Sequence, residues 1–308
     1  MKKKKFIAVL ATVGMVAAMA AGCGSSDDTQ NTPADNDAKT ENTSGWDVAN
    51  DITIVSREDG SGTRGAFVEL FGIQEEVDGE KVDMTTVDAQ VTNNTSVMLT
   101  TVAGDEYAIG YVSLGSLDES VKALKIDGAE ATEENVKDGS YKVSRPFNIA
   151  VKEGADNKVA NDFIDFIMSE DGQKVVADNG FIPVEETKAY EGTKPSGEAV
   201  VGGSSSIAPV MEKLIEAYKA VNPNAKIELQ SSDSTTGMTS TLEGSYDIGM
   251  ASRELKEEEV GQGLKATVLA TDGIAVIVNN ENPTEELSSE QVKSIYTGEV
   301  YTWDEVAE

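Results

Sequence analysis

The 308-residue sequence contains no histidine and a single cysteine. The lack of histidine excludes hydrolases with a histidine base and metal sites with histidine ligands. One cysteine can form neither an internal disulfide nor a thiolate cluster. Basic residues are also scarce, because 25 Lys and Arg stand against 55 Asp and Glu, for a net charge of −30. We therefore expect no metal, no cofactor and no nucleic-acid partner, since nucleic-acid binding needs a basic surface.

The N-terminus has the pattern of a bacterial export signal. Lysines 2–5 precede an apolar run that is short for a membrane span and leads to Ala20-Ala21-Gly22-Cys23. This tetrapeptide resembles a lipoprotein lipobox, although Ala20 stands where leucine is usual. The resemblance implies that residues 1–22 are a signal peptide and that Cys23 becomes a lipidated N-terminus. The alternative is an ordinary signal peptide with an incidental cysteine.

The segment after this cysteine is polar. Residues 24–45 are rich in Ser, Thr, Asn, Asp and Gly and show no apolar periodicity. Such a composition cannot bury a core and predicts a flexible tether. Residues 23–45 would then hold a folded domain at the extracytoplasmic face of the bacterial cell membrane, with a membrane contact through the lipid on Cys23.

The rest of the chain alternates predicted strands and helices. This alternation predicts an α/β fold with mainly parallel sheets. The main predicted elements are strands at 52–56, 107–117 and 144–154, a helix at 157–180, a polar linker at 187–198, a helix at 210–218 and a strand pair at 266–279.

Four turns that follow predicted strands carry hydroxyls, glycines or an arginine. They are REDGSGT (57–63), GGSSSIAP (202–209), SSDSTTG (231–237) and ASREL (251–255). A helix that starts at such a turn offers unpaired N–H groups and a positive dipole end, which suit an oxyanion. In an α/β sheet these turns gather at the carboxyl ends of the strands. Each turn alone could be a simple helix cap, but together they predict an oxyanion site.

The same segments resemble the substrate-binding lipoproteins of Pst-type phosphate ABC importers. The resemblance covers nearly all of residues 46–308 and rests on SREDGSGTRGAF, GGSSSIAPVMEKLIEAY, DIGMASREL, ATDGIAVIVN, VKSIYTGEVYTW and FIDFIMSEDGQKVVADNGFIPV. It implies a two-lobed type II periplasmic-binding-protein fold with the ligand clamped between the lobes. It also implies a monomer that carries inorganic phosphate to the permease subunits of an ABC importer without covalent chemistry.

The order of these segments departs from the family. There the GSSS segment stands near the mature N-terminus, and the YTGE…W segment leads into SREDGSGT. Here GSSS occupies 203–206 and YTGEVYTWDEVAE comes last. The chain therefore resembles a circular permutant in which 187–198 joins the former termini, and the alternative is a mis-assembled or truncated gene. The resemblance then places one lobe in 46–145 plus 282–308 and the other in 146–281.

The family's phosphate ligands can be carried over one residue at a time. The resemblance implies the ligand set Arg57, Ser61, Gly62, Thr63, Ser205, Ser206, Ser234, Ser252 and Arg253. Asp59 is expected to orient Arg57 by pairing with it. Some members place a proton-accepting aspartate where Arg253 stands here, so Asp272 becomes the candidate acceptor, with Asp59 and backbone carbonyls as alternatives. Asp272 could also be a simple turn residue.

Three other functions stay open at this point. The first is a binding protein for sulfate or molybdate, because phosphate differs from sulfate by a proton that needs an acceptor. The second is a phosphate sensor or surface protein that keeps the fold without transport. The third is a phosphatase that uses a serine, but the sequence lacks histidine, a Walker motif and an obvious metal-carboxylate cluster. We therefore expect no enzyme activity.

Overall fold

The computed structural model describes residues 46–77 and 79–306. The predicted signal peptide, the tether and Cys23 lie outside these residues. No helix in the described ranges has the length and apolar character that crossing a membrane requires.

The described residues form strands and short to medium helices. The strands are β1 Thr53–Arg57, β2 Gln74–Val77, β3 Glu80–Asp83, β4 Gln90–Thr92, β5 Ala108–Ser113, β6 Val121–Ala123, β7 Lys125–Ile126, β8 Ser144–Lys152, β9 Ile182–Pro183, β10 Gly197–Ser204, β11 Ala225–Ser232, β12 Ile248–Ala251, β13 Leu264–Asn279 and β14 Glu286–Leu287. The helices are α1 Gly62–Leu70, α2 Thr95–Ala103, α3 Glu133–Asp138, α4 Lys158–Ile167, α5 Glu170–Asp178, α6 Ala208–Val221, α7 Ser234–Glu243, α8 Glu257–Gly261, α9 Ser289–Thr297 and α10 Trp303–Val306.

One large sheet runs through the domain. Its strand order is β11-β10-β12-β8-β13-β5-β1-β4, with β6 and β9 also paired to β13. The outer strands pair in parallel, β10 with β11 and β12, and β1 with β4 and β5. The central strands β8 and β13 are antiparallel to each other and to their neighbours. The parallel pairs therefore lie on either side of an antiparallel centre.

Two main apolar cores lie along this sheet. The first combines residues between 46 and 143 with residues between 274 and 306, including Phe67 and Tyr296. The second uses residues between 147 and 270, including Phe163 and Tyr218. We call the parts around them the first lobe and the second lobe. Both β8 and β13 run from one core to the other, so they are the connections between the lobes.

The cores separate on β13 between Ala270 and Ile274. The boundary placed at 281 from the resemblance therefore lies later in the chain than the change of core. The predicted strand pair over 266–279 is wrong, because β13 is one continuous strand with a register shift between Val268 and Ala270. The Asp-Gly step that looked like a turn remains extended and paired with β8.

The predicted helix over 157–180 is two helices. It breaks after Ile167, and α5 begins at Glu170. The side chain of Ser169 accepts a hydrogen bond from the N–H of Gly172 at 3.2 Å. A serine that caps a new helix competes with continuation of the old one.

The linker over 187–198 packs onto the second lobe. The carboxylate of Asp162 on α4 accepts hydrogen bonds from the Tyr190 hydroxyl at 2.6 Å and from the Thr193 N–H at 2.7 Å. The Tyr218 hydroxyl donates to the same carboxylate at 2.6 Å. This buried carboxylate therefore fastens the linker to helices α4 and α6.

Residues near the two ends of the described chain also pack together. The Ile52 N–H donates to the Tyr301 carbonyl at 2.7 Å. Trp46 stacks on Tyr107 with ring centroids 4.6 Å apart, and the Trp303 indole N–H donates to the Tyr107 carbonyl at 3.2 Å. The segments before β1 and after α9 are thus neighbours in the first lobe.

Candidate functional site

Buried hydroxyl groups from both lobes meet at the ends of the parallel strands. We call this group the hydroxyl cluster. It contains Thr63 and Thr95 from the first lobe and Ser204, Ser205, Ser206, Ser234 and Ser252 from the second. Thr63 Oγ1 lies 2.8 Å from Ser206 Oγ, and Thr95 Oγ1 lies 3.3 Å from Ser205 Oγ. The cluster therefore joins the two lobes through side chains that are all hydrogen-bond donors.

The cluster stands at the N-termini of helices. Helices α1, α2 and α7 begin at Gly62, Thr95 and Ser234, and α6 begins shortly after Ser206. The first turn of each helix has unpaired N–H groups and a partial positive charge. Several such ends directed at one place form a strong anion site even in an acidic protein, because local donors outweigh remote screened charge.

Gly62 allows the lobes to approach this closely. A Cβ atom at this position would lie 2.3 Å from Ser234 Oγ and 2.8 Å from Ser252 Oγ. Both distances are far below van der Waals contact. Gly62, the second glycine of the GSGT turn, is therefore needed for the fit between α1 and the second lobe.

Arg57 reaches the cluster from the end of β1. It is 2% exposed, and its Nη2 donates to Ser205 Oγ at 3.2 Å. Its backbone N–H donates to the Tyr111 hydroxyl at 3.1 Å. Burial raises the pKa of Tyr111 to about 12, so this phenol stays neutral at physiological pH. The arginine is thus fixed at both backbone and side chain.

The carboxylate that pairs with Arg57 is Glu58, not the predicted Asp59. Arg57 Nε and Nη2 donate to the two Glu58 oxygens at 2.8 and 2.9 Å. Asp59 faces solvent with 99% of its side chain exposed and pairs with Arg64 at 3.0 Å. The turn directs successive side chains to different sides, so the neighbouring acid meets the guanidinium.

Ser61 has a local role in the structure. Its side chain is the N-cap of α1 and accepts a hydrogen bond from the Arg64 N–H at 3.3 Å. The structure therefore does not bring its hydroxyl into the cluster. Gly62 and Thr63, which follow it, do reach the cluster.

Arg253, which was predicted to bind the anion, also lies outside the cluster. Its Nη1 and Nη2 donate to the two carboxylate oxygens of Glu259 at 2.9 and 2.7 Å, and Nη1 also donates to the Glu254 carbonyl at 2.9 Å. Burial alone would raise the pKa of Glu259, but hydrogen bonds from Arg253 and from the Lys256 N–H hold it below its usual value. Arg253 is thus engaged by α8, and Ser252 alone represents this turn in the cluster.

Arg145 is a site residue that the sequence analysis missed. Its side chain is 3% exposed, and its Nη2 donates to Thr63 Oγ1 at 3.2 Å. Its Nη1 lies 3.1 Å from Oδ2 of Asp272. Asp272 is therefore not a turn residue but the cross-strand partner of Arg145 on β13. Burial raises the pKa of Asp272 to about 6, although the Arg145 charge opposes this.

Thr95 was missed as well, although its sequence carries the signal. VTNNTSVML (91–99) has a strand, an Asn cap and a hydroxyl at the start of a helix, as the selected turns do. Arg145 carries no such signal, because it lies inside a strand. A search restricted to turns could not find it.

A polar cleft opens beside the cluster. Its volume is about 840 Å³, and its lining includes Glu58, Thr95, Ser205 and Asp233. In the parts of the chain that the structure describes, no group of three or more acidic, cysteine or histidine side chains is placed to hold a metal ion. The cluster contributes hydroxyl groups and the guanidinium of Arg57, and the cleft lining adds the carboxylates of Glu58 and Asp233.

Comparison with known proteins agrees with this geometry. Residues 36–171 and 188–308 match the model of the PBP superfamily domain. A Streptococcus agalactiae protein named phosphate-binding protein PstS 2 is 53% identical over 309 residues, which cover 100% of both chains. The chain belongs to the PstS family.

The chain is also similar to a solved structure and, over part of its length, to a more distant relative. The crystal structure of a phosphate-binding protein of a phosphate ABC transporter from Streptococcus pneumoniae is 46% identical, with a TM-score of 0.66 over 83% of this chain and 99% of that one. The PstS of Staphylococcus haemolyticus is 38% identical over 117 residues, only 36% of this chain and 37% of that one. The family and the two-lobed binding-protein fold predicted from the sequence are confirmed.

Proposed function

We propose that this protein binds inorganic phosphate outside the membrane and delivers it to an ABC permease for import. The observation that carries the proposal is the hydroxyl cluster at converging helix N-termini, with the guanidinium of Arg57 bonded into it. The relatives that match the whole chain or most of it are named phosphate-binding proteins. The proposed ligands are Arg57, Gly62, Thr63, Thr95, Ser205, Ser206, Ser234 and Ser252.

The proposed mechanism is binding without a covalent step. Hydroxyls, backbone N–H groups and a guanidinium donate hydrogen bonds to the phosphate oxygens. Donors from both lobes contribute, so a bound anion ties the lobes together. The closed form is then the one that the permease recognises.

Selectivity against sulfate needs an acceptor for the proton of hydrogen phosphate. Asp272 stays our candidate for an acceptor or orienting group, and its contact with Arg145 favours the orienting role. Glu58, which lines the cleft and pairs with Arg57, is a second carboxylate near the site. An acceptor aimed at the anion would leave a sulfate oxygen facing a lone pair, which is unfavourable.

The unusual segment order fits a circular permutation that this chain shares with close relatives. The Streptococcus agalactiae protein matches from end to end, which supports a shared segment order over an assembly error confined to this gene. The Staphylococcus haemolyticus protein matches only about a third of either chain, as expected when blocks have changed order. Residues 46–52 lie close to residues 301–304, so a short connection could join them in the segment order that the family has.

We further propose a monomer anchored at the outer membrane face through a lipid on Cys23.

Calorimetric titration of the purified protein with phosphate, and then with sulfate, tests the proposal. We expect one phosphate per chain and no heat from sulfate. Equal binding of both anions would replace phosphate import with general oxyanion binding. Absence of binding to either would refute the proposed function.

A further inference from the structure

Arg145 lies where the chain crosses between the lobes. It is near the start of β8, and the apolar contacts of this segment change from the first core to the second between Val143 and Phe147. Its cross-strand partner Asp272 occupies the corresponding place on β13. The pair therefore belongs to neither core and is carried by both connecting strands.

The guanidinium of Arg145 is only partly hydrogen-bonded. Its Nη2 donates to Thr63 Oγ1, whereas Nε and Nη1 are buried without a hydrogen bond. Nη1 is near Asp272 Oδ2, but the two atoms do not have hydrogen-bond geometry. Buried donors without acceptors are unfavourable. They are explained if this side chain serves a ligand in addition to Asp272.

The electrostatics of the site favour the same ligand. Burial, together with the nearby positive charge of Arg57, lowers the pKa of Arg145 to about 10. Two buried guanidinium groups that repel each other are stabilised by an anion between them. Thr63 links Arg145 to Ser206, and Ser205 bonds to Arg57, so the hydroxyl cluster lies between the two arginines.

We propose that Arg145 is an anion-binding residue of this site, which holds a tetrahedral oxyanion dianion from the connection between the lobes, and that Asp272 positions it. The inference rests on the proposed function and deepens it. With Arg57 from the first lobe and serines from the second, Arg145 makes the bound anion touch both lobes and the strands that join them.

Phosphate titrations at pH 8 of two variants and a control test this role. Arg145→Lys keeps the charge but loses the planar fork. The double variant Arg145→Met/Asp272→Asn removes both buried charges at similar volume, so no charge is left unpaired. We expect phosphate affinity to fall about 10-fold and about 100-fold, respectively, because charge-assisted hydrogen bonds are lost. In the control Arg253→Gln, which removes a partly buried arginine that is also paired with a carboxylate, affinity should stay within about threefold.

The outcomes separate this inference from the proposed function. Phosphate binding by the double variant within about threefold of the unchanged protein would overturn the role of Arg145 and leave the function intact. Failure of the unchanged protein to bind phosphate would overturn both. Circular dichroism and urea unfolding establish that the double variant is folded. If it is not folded, unchanged affinity in Arg145→Lys would overturn the proposal.

Discussion

Two arginines near the hydroxyl cluster, the buried Arg145 and the partly buried Arg253, pair with carboxylates in different ways. Arg253 forms hydrogen bonds with both oxygens of Glu259 and with a backbone carbonyl. Arg145 approaches Asp272 at 3.1 Å without hydrogen-bond geometry and keeps buried Nε and Nη1 donors without partners. The first arginine stands in a turn that resembles a family motif, and the second lies inside a strand. The motif therefore pointed to the arginine whose Nη1 and Nη2 groups are already hydrogen-bonded to a carboxylate.

In these two pairs the hydrogen bonds of the guanidinium, and not the motif around it, distinguish the arginine that fixes a turn from the one that we propose binds the anion. The guanidinium of Arg253 is bonded to both oxygens of Glu259, and it fastens the ASREL turn to α8. A guanidinium that keeps buried donors without partners, as that of Arg145 does, is available to an anion. The partner carboxylates also differ in how well their negative charge is stabilised, because the pKa of Asp272 is raised and that of Glu259 is lowered.

The largest expected effect comes from a side chain that pushes α1 away from the serines of the second lobe. Gly62→Ala would place a methyl group 2.3 Å from Ser234 Oγ. Overpacking of this kind costs about 1–3 kcal/mol, so we expect phosphate affinity to fall about 10- to 100-fold. Calorimetric titration at constant pH measures the change.

Gly65→Ala is the matched control, because Gly65 lies on the same helix and a Cβ atom added there would come no closer than 4.0 Å to its nearest neighbour, Arg253 Cδ. Here we expect unchanged affinity and a gain in stability of up to about 1 kcal/mol, since alanine is the better helix former. Equal losses of affinity in the two alanine variants would contradict the fit assigned to Gly62.

Removing Arg253 should affect folding instead of binding. Arg253→Gln leaves Glu259, with 8% of its side chain exposed, without its cation. Loss of a charged hydrogen-bonded pair of this kind costs about 2 kcal/mol of unfolding free energy. Urea unfolding without phosphate measures this cost, and the double variant Arg253→Gln/Glu259→Gln should recover part of it. A loss of phosphate affinity of tenfold or more would restore the sequence-based assignment of Arg253.

The carboxylates of Asp272 and Glu259 should give opposite pH dependences of stability. Asp272 has a pKa of about 6, above its ordinary 3.8. Its contribution to the free energy of unfolding is therefore full below about pH 4 and is lost as the pH rises through about 6. Glu259 has a pKa below its ordinary 4.5, so its contribution is present above that value and is lost on acidification. Between pH 4 and 7 the stability of the unchanged protein should therefore fall relative to Asp272→Asn. Below pH 4.5 it should fall relative to Glu259→Gln, and parallel unfolding curves would show that the assigned titrations are wrong.

Much of the site was predictable because its signals are local. The turns at 57–63, 202–209 and 231–237 and Ser252 all supply cluster members, and each follows a strand as predicted. Apolar patterns and small hydroxyl residues before a helix are formed by residues close together in the chain, so they can be recognised in the sequence alone. The two-lobed fold came from the family resemblance, since α/β alternation alone fits many sheets.

The remaining features depend on contacts between distant residues. Arg145 meets Asp272 only through the register of β8 against β13, and one residue of slip would turn it away. Arg253 meets Glu259 only because α8 packs against the turn. The strand pair predicted at 266–279 failed because the Asp-Gly step is held extended by pairing with β8.

The smallest expected effect concerns the acidic pair in the REDGSGT turn. Asp59→Asn removes a carboxylate that is 99% exposed and pairs with Arg64, and such surface pairs contribute about 0–1 kcal/mol. We expect no measurable change in phosphate affinity. Glu58→Gln instead removes the partner of the buried Arg57, so titration should show a clear change in affinity for this variant alone. If Asp59→Asn weakened binding more than Glu58→Gln, Asp59 and not Glu58 would be the residue that orients Arg57.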